Sequence, residues 1–387
     1  MHIVLATAFL FDTPWDLPGG GMGEYVIKIA KLLKKANNEV EIVAGALDNK
    51  RWQYQGIDVF NAFWYGNLCG NPLQISEAIV RRNIAIQKRI REIDKKNRID
   101  IVQYAGWSGV GMFHSINCPS ILRLSTYSKI TYAQNVQYKD YVSVYSFWER
   151  MAGRSVDRII CPGEKIAHIF EKECKRPVTI VETPVCVDSV AKDVSVFNGI
   201  SDKPYFLFFG TASKEKGFDV IGNMCLKLFS QNKDIRYVFA GWDEGMGNNS
   251  AVHRLREKLA LYSDRFIYLG PLEKKRLYPV IEGAEMVLVP SIVDNLPNAC
   301  LEAMALGKIV IGTTGTALEQ LIKDGNNGFL VRPGDSNELF EAAEKVLKMN
   351  TEEKKKMSEA ILNSIKSYLP ENSVNKLIQI YKRELSI

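Results

Sequence analysis

Pro290-Ser-Ile-Val-Asp294-Asn-Leu-Pro-Asn298-Ala-Cys-Leu-Glu302-Ala-Met-Ala-Leu-Gly307 follows directly on the apolar run that begins at Met286. The spacing predicts a strand over 286–290, a polar loop, and a helix that starts between Asn295 and Pro297. Proline is tolerated in a first helical turn, where its missing N–H is no loss. The amides of that turn point at whatever lies at the strand's carboxyl end. In a doubly wound sheet that crevice is where ligands bind, and a helix N-terminus there favours an anion or an array of hydroxyls. Glu302 stands four residues after Asn298, so its carboxylate can lean back toward the opening and accept hydrogen bonds from paired hydroxyls such as a ribose diol. Asp294 can do the same for a second ring. A capping role would account for one of these acids but not for both.

Working outward, short β-branched runs alternate with helical patterns along nearly the whole chain. Strands are expected at 2–11, 39–44, 101–104, 120–124 and 158–161, then at 205–210, 236–240, 265–269, 286–290, 309–311 and 328–331. This alternation is the signature of parallel strands joined by crossover helices, so two doubly wound α/β domains follow. Residues 183–203 lack periodicity and hold the hinge, giving an N-terminal domain over 1–190 and a C-terminal one over 191–370. In 371–387, Val374, Leu377, Ile378 and Tyr381 share a helical face, which predicts a last helix packing back toward the N-terminal domain. Two stretches depart from the rhythm by their aromatic content: 45–76, with Trp52, Tyr54, Phe60 and Trp64, and 127–148, with Tyr132, Tyr138, Tyr141 and Tyr145.

The composition fits such a fold. Of 387 residues, 46% are hydrophobic and 24% charged, which excludes a disordered or collagen-like chain. The seven cysteines are scattered without a C-x-x-C pair, which argues against a disulfide framework or a zinc site and for a reducing cytoplasm. The apolar opening is too short to span a bilayer and lacks a preceding cation, so it reads as a first strand. The net charge of +6 falls mostly on the first half. There Val80, Ile84, Ile90 and Ile93 mark a helix face, with Arg81, Arg82, Lys88, Arg89, Arg91, Lys95 and Lys96 on its other faces. Those cations form either a solvated surface or one attracted to anionic lipid. Nucleic acid is not an expected partner.

Two more loops suit phosphate. Gly210-Thr-Ala-Ser-Lys214-Glu-Lys216-Gly217 lies between a strand and a helix, where lysines can meet a diphosphate as point charges. Pro18-Gly19-Gly20-Gly21-Met22-Gly23 lies between the first strand and a helix, where glycine lets backbone approach a ligand closely. It is not the dinucleotide fingerprint, since Glu24 stands where the last glycine belongs.

Taken together these segments resemble the family-4 retaining glycosyltransferases of GT-B architecture, the glycosyltransferase group 1. The resemblance continues through Gly312-Thr-Thr-Gly315 and Asp324-Gly-Asn-Asn-Gly328. It implies two Rossmann-like domains facing a cleft, with a nucleotide-sugar donor held by the C-terminal domain and a saccharide or lipid-linked acceptor by the N-terminal one. By the same resemblance Glu302 holds the nucleotide ribose, while Asp294, Asn295 and Leu296 hold the donor sugar. Leu272 borders the base, and Gly20, Gly21, Gly210, Lys214 and Lys216 approach the diphosphate. Lys216, Asp294 and Ser125 are the residues nearest the chemistry. The family commonly has Arg where this chain has Thr211, and His where it has Ser125.

In such a transferase the leaving diphosphate itself takes the acceptor's proton, so neither a protein nucleophile nor a metal or other cofactor is expected. No Asp-x-Asp motif stands at a strand end, and the four histidines are dispersed. Polysaccharide or glycoconjugate assembly at the inner face of a membrane, on a cytoplasmic enzyme peripherally attached, is the expected setting. A nucleotide-sugar epimerase and a non-catalytic sugar-binding subunit are the rival readings. A dinucleotide oxidoreductase would need the glycine fingerprint that is missing.

Overall fold

A computed structural model describes every residue except 13–16, 19, 132–138, 188–191, 201–202, 232–233, 246, 295 and 387. The chain forms two compact units, Met1–Pro184 together with Pro370–Ile387, and Val185–Leu369.

The first unit is built on β1 (His2–Thr7), a two-residue hairpin β2 (Phe11–Asp12) and β3 (Leu17–Pro18), and helix α1 (Gly20–Lys35). Next come β4 (Glu39–Ala46), β5 (Arg51–Tyr54), β6 (Ile57–Phe63), α2 (Pro72–Asp94), β7 (Ile101–Gly106) and β8 (Ser120–Leu124). The short α3 (Ser128–Thr131), α4 (Lys139–Ser155), β9 (Arg158–Cys161), α5 (Glu164–Cys174) and β10 (Val178–Ile180) follow. The sheet runs β10-β9-β8-β7-β1-β4-β6-β5, parallel except for β5. Every residue of β1, β7 and β8 is buried, as strands covered on both faces must be.

Three sequence expectations are corrected here. The first strand ends at Thr7, and Phe11 belongs to the separate hairpin. The stretch 45–76 does not interrupt the sheet: β6 extends it beside β4, with Ile57, Val59 and Ala62 buried, and β5 closes the edge. Nor is Arg82 on a solvated face. The buried stripe of α2 is Ile75, Ile79, Arg82, Ile86, Ile90 and Ile93, while Ile84 is exposed. The Arg82 guanidinium donates to the carbonyl and hydroxyl of Ser108 and lies 5.3 to 5.5 Å from the rings of Phe9, Trp64 and Trp107. Its Nε and Nη1 have no hydrogen-bond acceptor. The aromatic faces take that place, since a desolvated cation gains more from a ring quadrupole than an exposed one does. Burial pulls its pKa down to about 10, so it stays charged at neutral pH.

The second unit contains β11 (Tyr205–Ala212), α6 (Phe218–Gln231), β12 (Arg236–Asp243), α7 (Ala251–Lys258), β13 (Phe266–Tyr268), α8 (Lys274–Gly283) and β14 (Met286–Leu288). It continues with α9 (Asn298–Ala305), β15 (Val310–Thr313), β16 (Phe329–Val331), α10 (Ser336–Lys348) and α11 (Thr351–Ser364). Its parallel sheet runs β13-β12-β11-β14-β15-β16. The chain moves outward from β11 to β13, then returns to the other side at β14, which sets the topological switch point between β11 and β14. Phe206 and Tyr237 stack at 5.1 Å, as do Phe239 and Tyr268 at 5.0 Å, so aromatic pairs bind the strands side to side.

The last helix, α12 (Pro370–Glu384), belongs to the first unit. Val374, Leu377, Ile380 and Tyr381 pack with Ile3, Leu5 and Ala30. The Tyr381 hydroxyl donates to Gln103 Oε1 at 2.8 Å, and Lys376 and Glu384 pair with Glu182 and Arg158.

Among the described residues, Glu149 of α4 is the buried acid of this unit. It accepts from the Ser128 amide at 3.0 Å, the Ser128 hydroxyl at 2.7 Å and the Ser108 amide at 3.5 Å, so it joins the loops that follow β7 and β8. Desolvation pushes its pKa from 4.5 up to about 7, against the lowering effect of those donors and of Arg150. The unfolded chain releases this proton near 4.5 and the folded chain near 7, so between those values the native state binds more protons and stability falls as pH rises. The drop is roughly 3 kcal/mol. We predict that urea unfolding of the wild type shows this decline between pH 5 and 7.5, and that Glu149→Gln flattens it. An unchanged slope in the variant would show that Glu149 is not its source.

Candidate functional site

The loops after β11 and β14 meet at the switch point. After β11 the chain turns through Ser213, whose hydroxyl accepts from the Lys216 amide at 3.3 Å and whose carbonyl accepts from the Phe218 amide at 3.2 Å. Gly217 closes the turn at φ +75°, and a Cβ there would stand 2.2 Å from the Pro290 carbonyl oxygen. Only glycine combines that left-handed backbone with that approach. The two loops are then joined by the Ile292 amide donating to the Glu215 carbonyl at 2.8 Å.

This contact delivers Lys216 to Asp294. The Lys216 ammonium lies 2.6 Å from Asp294 Oδ2, which also accepts from the Ser291 hydroxyl at 3.0 Å. The carboxylate is largely buried, whereas the lysine is 39% exposed. Thr313, at the end of β15, donates to the Ser291 carbonyl, so a third strand end braces the loop. Gly210 has φ +128° and open space beside its α-carbon, and Lys214 is exposed on the same turn. Leu296 is buried with φ +94°, a costly backbone for a branched residue. Asn295 lies outside the described residues.

Helix α9 begins at Asn298 with Pro297 as its N-cap, whose side chain makes no capping hydrogen bond. Glu302 is on its second turn, with a side chain only 3% exposed, and Lys274 holds it with Nζ 2.5 Å from Oε1. Lys274 opens α8, directly after the loop of Gly270 and Leu272, and Leu272 is half-buried against the core. Glu302 is therefore neither a surface residue nor a cap. The sequence reading did not single out Lys274 or Ser291. A signal existed for the lysine, because α8 opens Lys-Lys-Arg where the helix dipole disfavours cations.

The other expected residues stand in the first unit. Gly20 and Gly21 form the head of α1. Ser125 follows β8 and accepts from Arg123 Nη1 at 2.7 Å, while Arg123 Nη2 donates to the Thr183 hydroxyl at 2.8 Å. The guanidinium lies on the Tyr25 ring, 3.4 Å from its centroid. Burial lowers the pKa of Arg123 and raises that of Tyr25.

The chain matches the family model for glycosyltransferase family 4 over residues 19–189 and that for glycosyl transferases group 1 over residues 192–363. A curated relative, the alpha-D-kanosaminyltransferase of Streptomyces kanamyceticus, is 25% identical over 38% of this chain and 38% of its own length. The chain spans less than two thirds of the length of the curated relatives it matches. Sucrose-phosphate synthase from Thermosynechococcus elongatus superposes over the whole of both chains with a TM-score of 0.79 at 15% identity. Alr3699/HepE of Anabaena, crystallised with UDP and glucose, superposes over 99% of this chain and all of its own with a TM-score of 0.73 at 15% identity. The architecture is thus GT-B, and the chain belongs to the group 1 glycosyl transferases, with a first half of the family-4 type.

Proposed function

We propose that this protein is a retaining glycosyltransferase that moves a sugar from a nucleotide-sugar donor to a saccharide or lipid-linked saccharide acceptor, in polysaccharide or glycoconjugate assembly. The observation that carries this reading is the pair of acids at the second sheet's switch point, Asp294 and Glu302, each held by a lysine. Two carboxylates that accept only, set apart along one loop and helix, suit the hydroxyls of two rings, and Lys216, with Lys214 on the same turn, suits the diphosphate between them. The bound UDP and glucose of the Anabaena structure and the name of the Streptomyces relative point the same way.

In the reaction, the bond between the sugar's anomeric carbon and the diphosphate oxygen breaks. The acceptor oxygen bonds to that carbon, and the acceptor's proton passes to the departing diphosphate. The protein's part is electrostatic. Lys216 and Lys214 stabilise negative charge as it builds on the leaving group, so the reading calls for no metal. Asp294 orients the sugar, and Ser125, fixed by Arg123, serves the reacting face. Among the described residues no helix is long and apolar enough to cross a membrane. We propose peripheral attachment to an anionic inner-face membrane through the outward side of α2 and the turn after it, where Lys88, Arg91, Lys95 and Lys96 are exposed together with Leu73 and Ile84.

A thermal-shift screen against nucleoside diphosphates and their sugars tests the donor site. One nucleotide is expected to raise the melting temperature, by the equivalent of about 2.7 kcal/mol at a hundredfold excess over its dissociation constant. Glu302→Ala is expected to lose that shift and all transfer while its ligand-free melting temperature stays close to wild type; normal turnover would remove the main support. Lys216→Ala should lower kcat about a hundredfold and leave the KM for donor within a few fold, since its charge matters most in the transition state. Product analysis separates transfer from epimerisation, because only the latter alters the donor sugar without acceptor. In flotation with phosphatidylglycerol vesicles, the wild type should rise with the lipid and a Lys88→Glu, Arg91→Glu, Lys95→Glu variant should stay behind. Equal flotation would exclude that face.

A further inference from the structure

The Lys274–Glu302 pair has a chemistry that the carboxylate alone lacks. An ionised carboxylate only accepts hydrogen bonds, whereas each ribose hydroxyl has a proton to give and an oxygen to satisfy. A diol brought against a lone buried acid leaves its own oxygens without donors, and such orphaned polar groups are costly. Beside Glu302 stands an ammonium, which only donates. We infer that Lys274 is a specificity residue for ribonucleotides, acting with Glu302 as a donor and acceptor pair that reads the 2′,3′-diol of the donor's ribose. This rests on the donor reading proposed above.

Three observations support the assignment. The first is order in depth: the Glu302 side chain is 3% exposed and that of Lys274 35%, so the ammonium forms the outer member of the pair. A ligand hydroxyl approaching the acid from solvent meets it. The second is fixation. Lys274 Nζ is 2.5 Å from Glu302 Oε1 and 5.9 Å from the centre of the Tyr278 ring, one turn further along α8. Tyr278 is itself tied by its hydroxyl donating to the Cys186 carbonyl at 3.2 Å. The third is position. A lysine in the first turn of a helix works against the macrodipole, so its place at the head of α8 is explained by the acid it serves and not by helix stability.

Isothermal titration of the full chain with UDP, GDP and ADP, each beside its 2′-deoxy form, tests this. The nucleotide that binds the wild type most tightly should exceed its deoxy form by about tenfold, the cost of leaving one member of the buried pair without its hydroxyl. In Lys274→Met that ratio should fall close to one, with the loss borne by the ribonucleotide, and Lys274→Arg should restore most of it. A merely structural lysine would weaken both forms alike and leave the ratio intact. If the methionine variant does not fold, as read from its melting curve, Lys274→Gln carries the same measurement. A wild-type ratio in either variant overturns the inference while leaving the donor site standing. Failure of all three nucleotides to bind the wild type, or wild-type binding by Glu302→Gln, overturns the donor reading and this inference with it.

Discussion

The absence of one side chain, at Gly217, governs the geometry of the second unit's site. Any β-carbon there would collide with the Pro290 carbonyl, and the left-handed backbone would be strained besides. Because the turn can sit directly on the strand end, the Ile292 amide reaches Glu215 and the Lys216 ammonium reaches Asp294. The strand order then fixes where this happens. With β12 on one side of β11 and β14 on the other, the two loops that meet here are those at the switch point. A close approach of backbone to backbone thus sets the position of the charges.

Much of this was legible. The acids Asp294 and Glu302, whose spacing the family resemblance marks, and Pro297 at the head of a helix identify the loop, and the uninterrupted apolar runs identify the central strands. What stayed hidden was hidden for physical reasons. Residues 57–63 keep no clean period of two, because Ile57 and Val59 pack on one face of the sheet while Phe60 and Ala62 pack on the other. In α2 the apolar face was misplaced because Arg82 occupies one of its positions. Binary patterning scores an arginine as outward. Here it is inward because Phe9, Trp64 and Trp107, far away in sequence, supply faces that stand in for water. Lys274 escaped for a related reason, since its partner lies 28 residues on and no local motif joins them.

The frame of the first unit and the site of the second handle charge differently. In the first, Arg82 and Arg123 are compensated by rings and neutral hydroxyls, and their guanidinium groups are nearly or wholly out of water. Such cations are fixed, because moving either would strip it of several contacts at once and leave it desolvated. Arg123 accordingly suits the holding of Ser125 and Thr183 in register, and Arg82 the holding of the Ser108 loop. Glu149 completes that frame from the other side by gripping Ser108 and Ser128 together.

At the second unit's site the charges stand in ion pairs whose acid is largely buried and whose base is partly open to solvent, Asp294 with Lys216 and Glu302 with Lys274. That asymmetry decides what a ligand can do. A partly hydrated lysine loses little on turning from its carboxylate toward an incoming phosphate, since it exchanges one anion for another and keeps much of its water. The buried carboxylate would then be left desolvated and without a counter-charge, which is unfavourable unless ligand hydroxyls arrive to donate to it. On the donor reading proposed above, diphosphate and sugar hydroxyls are coupled through the Asp294–Lys216 pair: the anion draws off the lysine, and the hydroxyls supply what the acid has lost. On the same reading, a nucleotide without its sugar meets only half of that exchange at Asp294, which favours binding of the complete donor over its separate parts.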